Sequence, residues 1–452
     1  MSLIKIKLQR SSLVAVILPC LGILLLSILL SLPSAQAQQV PASVYNRYVS
    51  LATAFAKLSA QDDEQAKSSA DSNQRLIKNI AKFYQQQTEY SAARQLLASN
   101  LQLQVLLMQQ DYQQGYDVVS QLLGLSLAVE QQLTFQQLAG QLAASSVTST
   151  ETSKAPQAKV WERVAQHLNT WFALVDKLDD KQRKIYNITR TQQASNAALL
   201  AQAYYLQEQL TVALAPAQRA YKLAPKNESY LQLLLALLQR LELNKQLNQQ
   251  LEIAVVDFPQ SKDYWERLAY SHLSLDQNKA ALSTLAITRN QGLLSAQGYR
   301  VLASLYLQQQ QPRLAADVYL EGADKKLLLP DLAYFKGLSN AWLMARERSK
   351  ALDVLAQAER AGIKLAKHDQ QQAQLLYLEA RWPEAELAYA NLLQGIDVKN
   401  MDQKTVLKTD EWRFLLAVSQ VEQGKKNQAK DNLLLLQTKQ YQGYSKDWLE
   451  QL

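Results

Sequence analysis

At 452 residues the chain can bury a sizeable core, and length alone suggests two or three domains unless the chain is a repeat array. Leu, Ala and Gln dominate, with only 12 Gly and 10 Pro; long stretches lack the β-branched alternation of strands, so a sheet protein is excluded and an all-α chain expected. The net charge of +8 has Lys and Arg interspersed with Asp and Glu, which fits a solvated helical surface and gives nucleic-acid binding no support.

Residues 1–37 read as an export signal. Lys5, Lys7 and Arg10 form a positive start, Leu13 to Leu32 an apolar run, and Ala35-Gln36-Ala37 a small-residue cleavage site, so the mature chain is expected to begin at Gln38. Losing those three cations takes the charge from +8 to +5. The apolar run is nearly long enough to span a bilayer, so an uncleaved anchor in the inner membrane is the alternative, weakened by Pro19, Gly22, Ser27 and Ser31. Cys20 is the only cysteine and lies in this run. The mature chain therefore has no disulfide, thiol nucleophile or thiolate metal site, and Pro19 before Cys20 is a poor fit to lipoprotein processing. A cysteine-free, Gln-rich, exported helical protein suits a bacterial periplasm.

Residues 38–144 form an N-terminal helical region. Its stretch "LIKNIAKFYQQQTEYSAARQLL" places Ala81 and Ala93 twelve residues apart around Tyr84, which predicts a divergent helical hairpin. Residues 145–158, polar and small, have the composition of a linker. Residues 159–190 follow as an amphipathic helix carrying Trp161, Val164, Leu168, Phe172, Val175 and Leu178, then a shorter helix, expected to cap what comes next.

From 191 to 437 one pattern recurs. Ala201, Leu235, Ala269, Ala303, Ser339, Ala373 and Ala417 each stand twelve residues before Ala213, Leu247, Ala281, Ala315, Ala351, Ala385 and Ala429. Four of the six steps between repeats are 34 residues, the others 36 and 44. Two antiparallel helices approach closely only where each contributes a small side chain, so these positions mark helical crossings. Leu235 and Leu247 together replace two small residues and are expected to widen their hairpin. Pro225 and Pro259 close second helices, because proline cannot continue the hydrogen-bond ladder. Residues 438–452 form a C-terminal cap.

This spacing and its small and aromatic positions resemble the tetratricopeptide repeat. The resemblance implies an all-α, right-handed superhelix of seven stacked hairpins with a concave ligand-binding surface.

The chemical inventory is thin. Only His167, His272 and His368 are present; His272 sits where such repeats place a packing aromatic, and His368 is expected to be exposed. No HExxH, GxSxG, P-loop or EF-hand pattern occurs, and Asp179-Asp180 reads as a helix boundary. No catalytic residue, metal site, cofactor or small-molecule substrate is expected, and Trp342, Trp382 and Trp412 are read as core rather than as a cage. What remains is the face of the first helices turned from their partners: Tyr205, Gln232, Gln239, Arg240, Tyr270, Arg300, Lys336, Asn340, Gln374 and Tyr377. Amides, cations and tyrosines of this kind suit an extended or helical peptide, and an unspecialised solvated face is the competing reading.

A narrower resemblance rests on Trp265 to Leu268, "NQGLL" at Asn290 to Leu294, "LASLY" at Leu302 to Tyr306 and "LSNAW" at Leu338 to Trp342. This stretch is similar to periplasmic repeat proteins that accompany the TonB, ExbB and ExbD energy-transducing systems of Gram-negative bacteria. The resemblance implies a non-enzymatic adaptor in TonB-dependent uptake of iron complexes; an uncleaved signal or a partner would be the route to membrane association. A scaffold for polysaccharide export or pilus assembly is the second reading, and an enzyme acting on envelope polymer the third.

Overall fold

The computed structural model describes residues 40–60, 70–147, 154–363, 368–394, 396 and 402–452. The export segment with Cys20, residues 148–153 of the expected linker and the side chain of His368 lie outside the described residues. Every described element is a helix or a connection between helices, with no strand among the described residues. No described helix is long and apolar enough to cross a membrane.

The chain forms two compact units that divide between Gln250 and Leu251, inside the helix Asn244–Asp257. The first contains Ala42–Ser59, Ala70–Gln87, Ala92–Met108, Tyr112–Leu123, Val129–Ser145, Lys154–Val175, Asp180–Ile185, Arg190–Leu206, Leu210–Leu223 and Glu228–Arg240. The second contains Lys262–Ser274, Asn278–Asn290, Ala296–Gln308, Pro312–Asp324, Leu332–Met344, Arg348–Arg360, His368–Leu378, Trp382–Gln394, Gln403–Val421, Lys426–Leu434 and Lys439–Gln451. Each unit is a run of tetratricopeptide-like hairpins in which a helix packs on the helix before it and the one after it.

The crossings stand where the small residues recur. Ala201, Ala213, Ala269, Ala281, Ala303, Ala315, Ala351, Ala373, Ala385, Ala417 and Ala429 are all wholly buried, as is Leu235, and Ser339 and Leu247 are nearly so. Larger side chains fill the space beside them: Leu268, Tyr299, Leu302, Tyr319 and Leu338 are buried. Trp265 is half-buried, its indole N–H donating to the Pro259 carbonyl at 2.8 Å, while the neighbouring Tyr264 enters the core.

The hairpin turns repeat as strictly as the crossings. Glu208, Glu242, Asp276, Gln310, Arg346, Ala380 and Gly424 all have positive φ, between 55° and 75°. After each, an amide reaches back five residues, as Gln209 N to Tyr204 O at 2.9 Å and Gln311 N to Tyr306 O at 2.8 Å, which ends the first helix in a Schellman cap. Six of these seven positions carry a side chain where glycine is the usual occupant. Left-handed backbone costs an L-residue about 1–2 kcal/mol, which the Schellman hydrogen bond and the packing of the two helices together offset at these corners.

The helix Lys154–Val175 packs along Val129–Ser145 on one side and Arg190–Leu206 on the other. Trp161, Val164, Ala165, Leu168, Trp171, Phe172 and Val175 are all buried along it, a stripe broad enough to fill the groove between two helices. Residues 159–190 therefore belong to the first unit, with packed helices before and after them. At the other end, the buried carboxylate of Asp410 accepts from the backbone N–H groups of Gln437 at 2.9 Å and Thr438 at 2.6 Å, fixing the start of the last helix.

Candidate partner-binding surface

Six of the ten candidate residues fall in the second unit, on first helices of consecutive hairpins, and the packing sorts them. Arg300 donates to Asp331 at 2.9 Å. Asp331 also accepts from Tyr334 N at 2.8 Å and caps the helix Leu332–Met344. The Tyr334 N–H and then Arg300 hold the Asp331 carboxyl below its ordinary range. Arg300 thus braces one hairpin against the next. The Tyr270 hydroxyl is enclosed, with no hydrogen-bond partner among the described residues. Burial and then the charge of Glu266 push it up to about 12. Tyr377 is half-buried and lies edge-on to Trp382 at 5.5 Å and Tyr389 at 6.4 Å.

Lys336, Asn340 and Gln374 are exposed. Among the described residues the Lys336 ammonium and the Gln374 amide bond to nothing, and Asn340 only approaches the Met344 sulfur at 3.7 Å. Lys336 and Asn340 are one turn apart, and Gln374 occupies the place of Asn340 one repeat later. The polar ends of these three side chains face solvent.

Beside them runs an apolar row that the candidate residues omit. Leu273, Leu307 and Leu343 occupy the place of Tyr377 in successive hairpins; all four rest half-buried against the core cluster. The repeat spacing that located Tyr377 also points to them. A polar row flanked by an apolar one is the pattern an amphipathic helix or an extended chain with alternating side chains can match.

The first unit holds the other four candidates. Tyr205 is half-buried beneath the Arg240 guanidinium, 5.2 Å from the ring centroid, while Gln232 and Gln239 are exposed. The tryptophans form no cage: Trp342 is buried under Lys350, Trp382 lies against Tyr377, and Trp412 is half-buried under Lys408. His272 is buried with Nδ1 2.8 Å from Gln277 Oε1. No group of three or more His, Cys, Asp or Glu among the described residues is arranged to hold a metal ion.

His167 joins three helices of the first unit. Its Nδ1 lies 2.7 Å from Gln136 Oε1 and its Nε2 3.2 Å from the Tyr116 hydroxyl, while Arg163 stands over the Tyr116 ring. A neutral imidazole donating from Nδ1 and accepting at Nε2 satisfies both contacts. Burial first, then the Arg163 charge, lowers its pKa below the ordinary 6.5. The unfolded chain therefore binds the proton first, so stability is full above pH 6.5 and falls as acidification carries the chain down toward the folded pKa. Replacing His167 with Gln is expected to remove this slope. Urea denaturation of the two proteins at pH 7.5 and pH 5 then shows the wild type losing more on acidification, and parallel losses would exclude a neutral imidazole held between Gln136 and Tyr116.

No known family profile matches the sequence, and no curated protein matches it. Among solved structures, the MamA protein is 15% identical, with 38% of this chain and 98% of that one covered and a TM-score of 0.30. The pilF protein of Pseudomonas aeruginosa is 13% identical, with 50% and 98% covered and a TM-score of 0.30. A tetratricopeptide repeat protein of Parabacteroides merdae is 10% identical, with 58% and 94% covered and a TM-score of 0.29. These likenesses concern the course of the chain alone.

Proposed function

We propose that the chain is a non-enzymatic helical-repeat adaptor of the periplasm that binds protein partners. Its proposed setting is a TonB-dependent uptake system for iron complexes. The observation that carries the adaptor reading is the row of uncommitted polar groups, Lys336, Asn340 and Gln374, beside Leu273, Leu307, Leu343 and Tyr377 on successive first helices. The uptake setting rests on the sequence resemblance over Trp265 to Trp342 and on the export signal.

The test uses the tagged protein captured from cross-linked envelopes, grown with and without iron, beside a variant carrying Lys336→Ala, Asn340→Ala and Gln374→Ala. Because these side chains brace nothing, the variant is expected to keep its circular dichroism and melting. TonB, ExbB or ExbD is expected with the wild type, and about tenfold less with the variant if the row supplies a hot spot. Export or pilus components in their place would remove the uptake role, and unaltered capture by the variant would move the contact to another surface.

A further inference from the structure

One edge of the first unit carries a concentration of charge that the partner surface does not use. The connection from Asp176 to Arg190 and the turn after the helix Leu210–Leu223 are tied together there. Arg190 donates from Nε to the Leu223 carbonyl at 2.8 Å and from Nη2 to the Lys222 carbonyl at 3.1 Å. Arg219 forks onto Asp176 at 2.6 and 2.9 Å, with its guanidinium 4.2 Å from the Phe172 ring centroid.

Residues 176–190 and 219–228 together hold eight Lys and Arg against four Asp and Glu, and the acids are already engaged. Asp176 is held by Arg219, Asp180 pairs with Arg183 at 3.2 Å, Asp179 accepts from Gln182 N at 2.7 Å, and Glu228 has a partner of its own. Lys177, Lys181, Lys184, Lys222 and Lys226 are exposed and in no ion pair among the described residues. Between them Ile185 is 70% exposed, followed by the half-buried Tyr186.

We infer that this edge docks on an anionic lipid surface. The cations are spread along two connections instead of converging on a cavity, so the charge complements an extended negative plane better than a small anion. An exposed isoleucine next to a tyrosine, with Lys181 and Lys184 in the turn before it, is the arrangement that places an apolar tip among the acyl chains while ammonium groups reach the headgroups. Each lysine near such a surface contributes about fivefold in partitioning at low salt, and the attraction fades within a Debye length. Tyr205 stands at the far end of the helix that Arg190 begins, so a membrane on this edge leaves that candidate contact open.

The experiment is sedimentation of the full chain with vesicles of phosphatidylglycerol and phosphatidylcholine in equal parts, against phosphatidylcholine alone, with and without added salt. Comparing anionic with neutral vesicles cancels binding by the apolar N-terminal segment. The wild type is expected to prefer anionic vesicles and to lose that preference in salt. Lys181→Gln with Lys184→Gln and Lys222→Gln is expected to weaken anionic binding by about a hundredfold, Lys→Glu at the same three sites by more, and Ile185→Ser to weaken it with the charge intact. An anionic preference that survives the charge reversals would assign it to Lys5, Lys7 and Arg10 and overturn the inference. Binding of poly-glutamate by an edge that ignores vesicles would overturn it in favour of an acidic protein.

Discussion

Leu235→Ala is expected to cost about 3 kcal/mol, whereas Ala303→Leu, at the equivalent place two repeats later, is expected to cost about 2 kcal/mol. Both side chains are wholly buried at a hairpin crossing. Removing Leu235 leaves a cavity that two packed helices close only in part, while a leucine at 303 has no space to enter. The same repeat position thus holds two residues that cannot be exchanged. Urea denaturation followed by circular dichroism reads the total loss, and amide hydrogen exchange shows whether it is confined to the mutated hairpin, as expected where repeats contact only their neighbours. Near-neutral results for both variants would mean that the small positions are not close crossings.

Loss of the Glu321 carboxylate is the second large effect, expected at about 2 kcal/mol at pH 7 for Glu321→Ala. Glu321 sits among three helices. It accepts from Arg289 Nε at 2.5 Å, from the Tyr299 hydroxyl at 2.8 Å and from Lys325 Nζ at 2.7 Å. Lys325 also donates to the Tyr299 oxygen at 3.1 Å. Burial by itself would raise the carboxyl, but the hydrogen bonds from Lys325, Arg289 and Tyr299 together outweigh it and bring it down to about 2. The folded value lies below the ordinary 4.5, so the contribution is full above pH 4.5 and is lost as pH falls from there toward 2. Wild type and variant should accordingly differ most in urea midpoint near pH 7 and converge on acidification. A gap that persists unchanged to pH 3 would mean that packing, not charge, makes the difference.

Much of the candidate surface was legible as positions and little of it as roles. Repeat spacing identifies which residues share the first-helix face, so Lys336, Asn340 and Gln374 could be named from it. It cannot show that Arg300 reaches Asp331, 31 residues away, or that the Tyr270 hydroxyl is enclosed, because those depend on neighbouring hairpins. Leu273, Leu307 and Leu343 were passed over because an apolar residue on a helix reads as core, although half of such a side chain can remain available.

By itself the sequence determined that the fold is all-α, where the hairpins cross and which second helices end just before proline. Small residues, apolar periodicity and missing N–H groups act locally, within a turn or a single hairpin. Tertiary structure alone decided that the helix Lys154–Val175 packs between Val129–Ser145 and Arg190–Leu206, that Glu208, Glu242, Asp276 and Gln310 hold a left-handed corner without glycine, and that charges on separate connections meet on one edge. Each of these requires packing or a bond between segments far apart in the chain, and one-dimensional spacing carries no information about which segments those are.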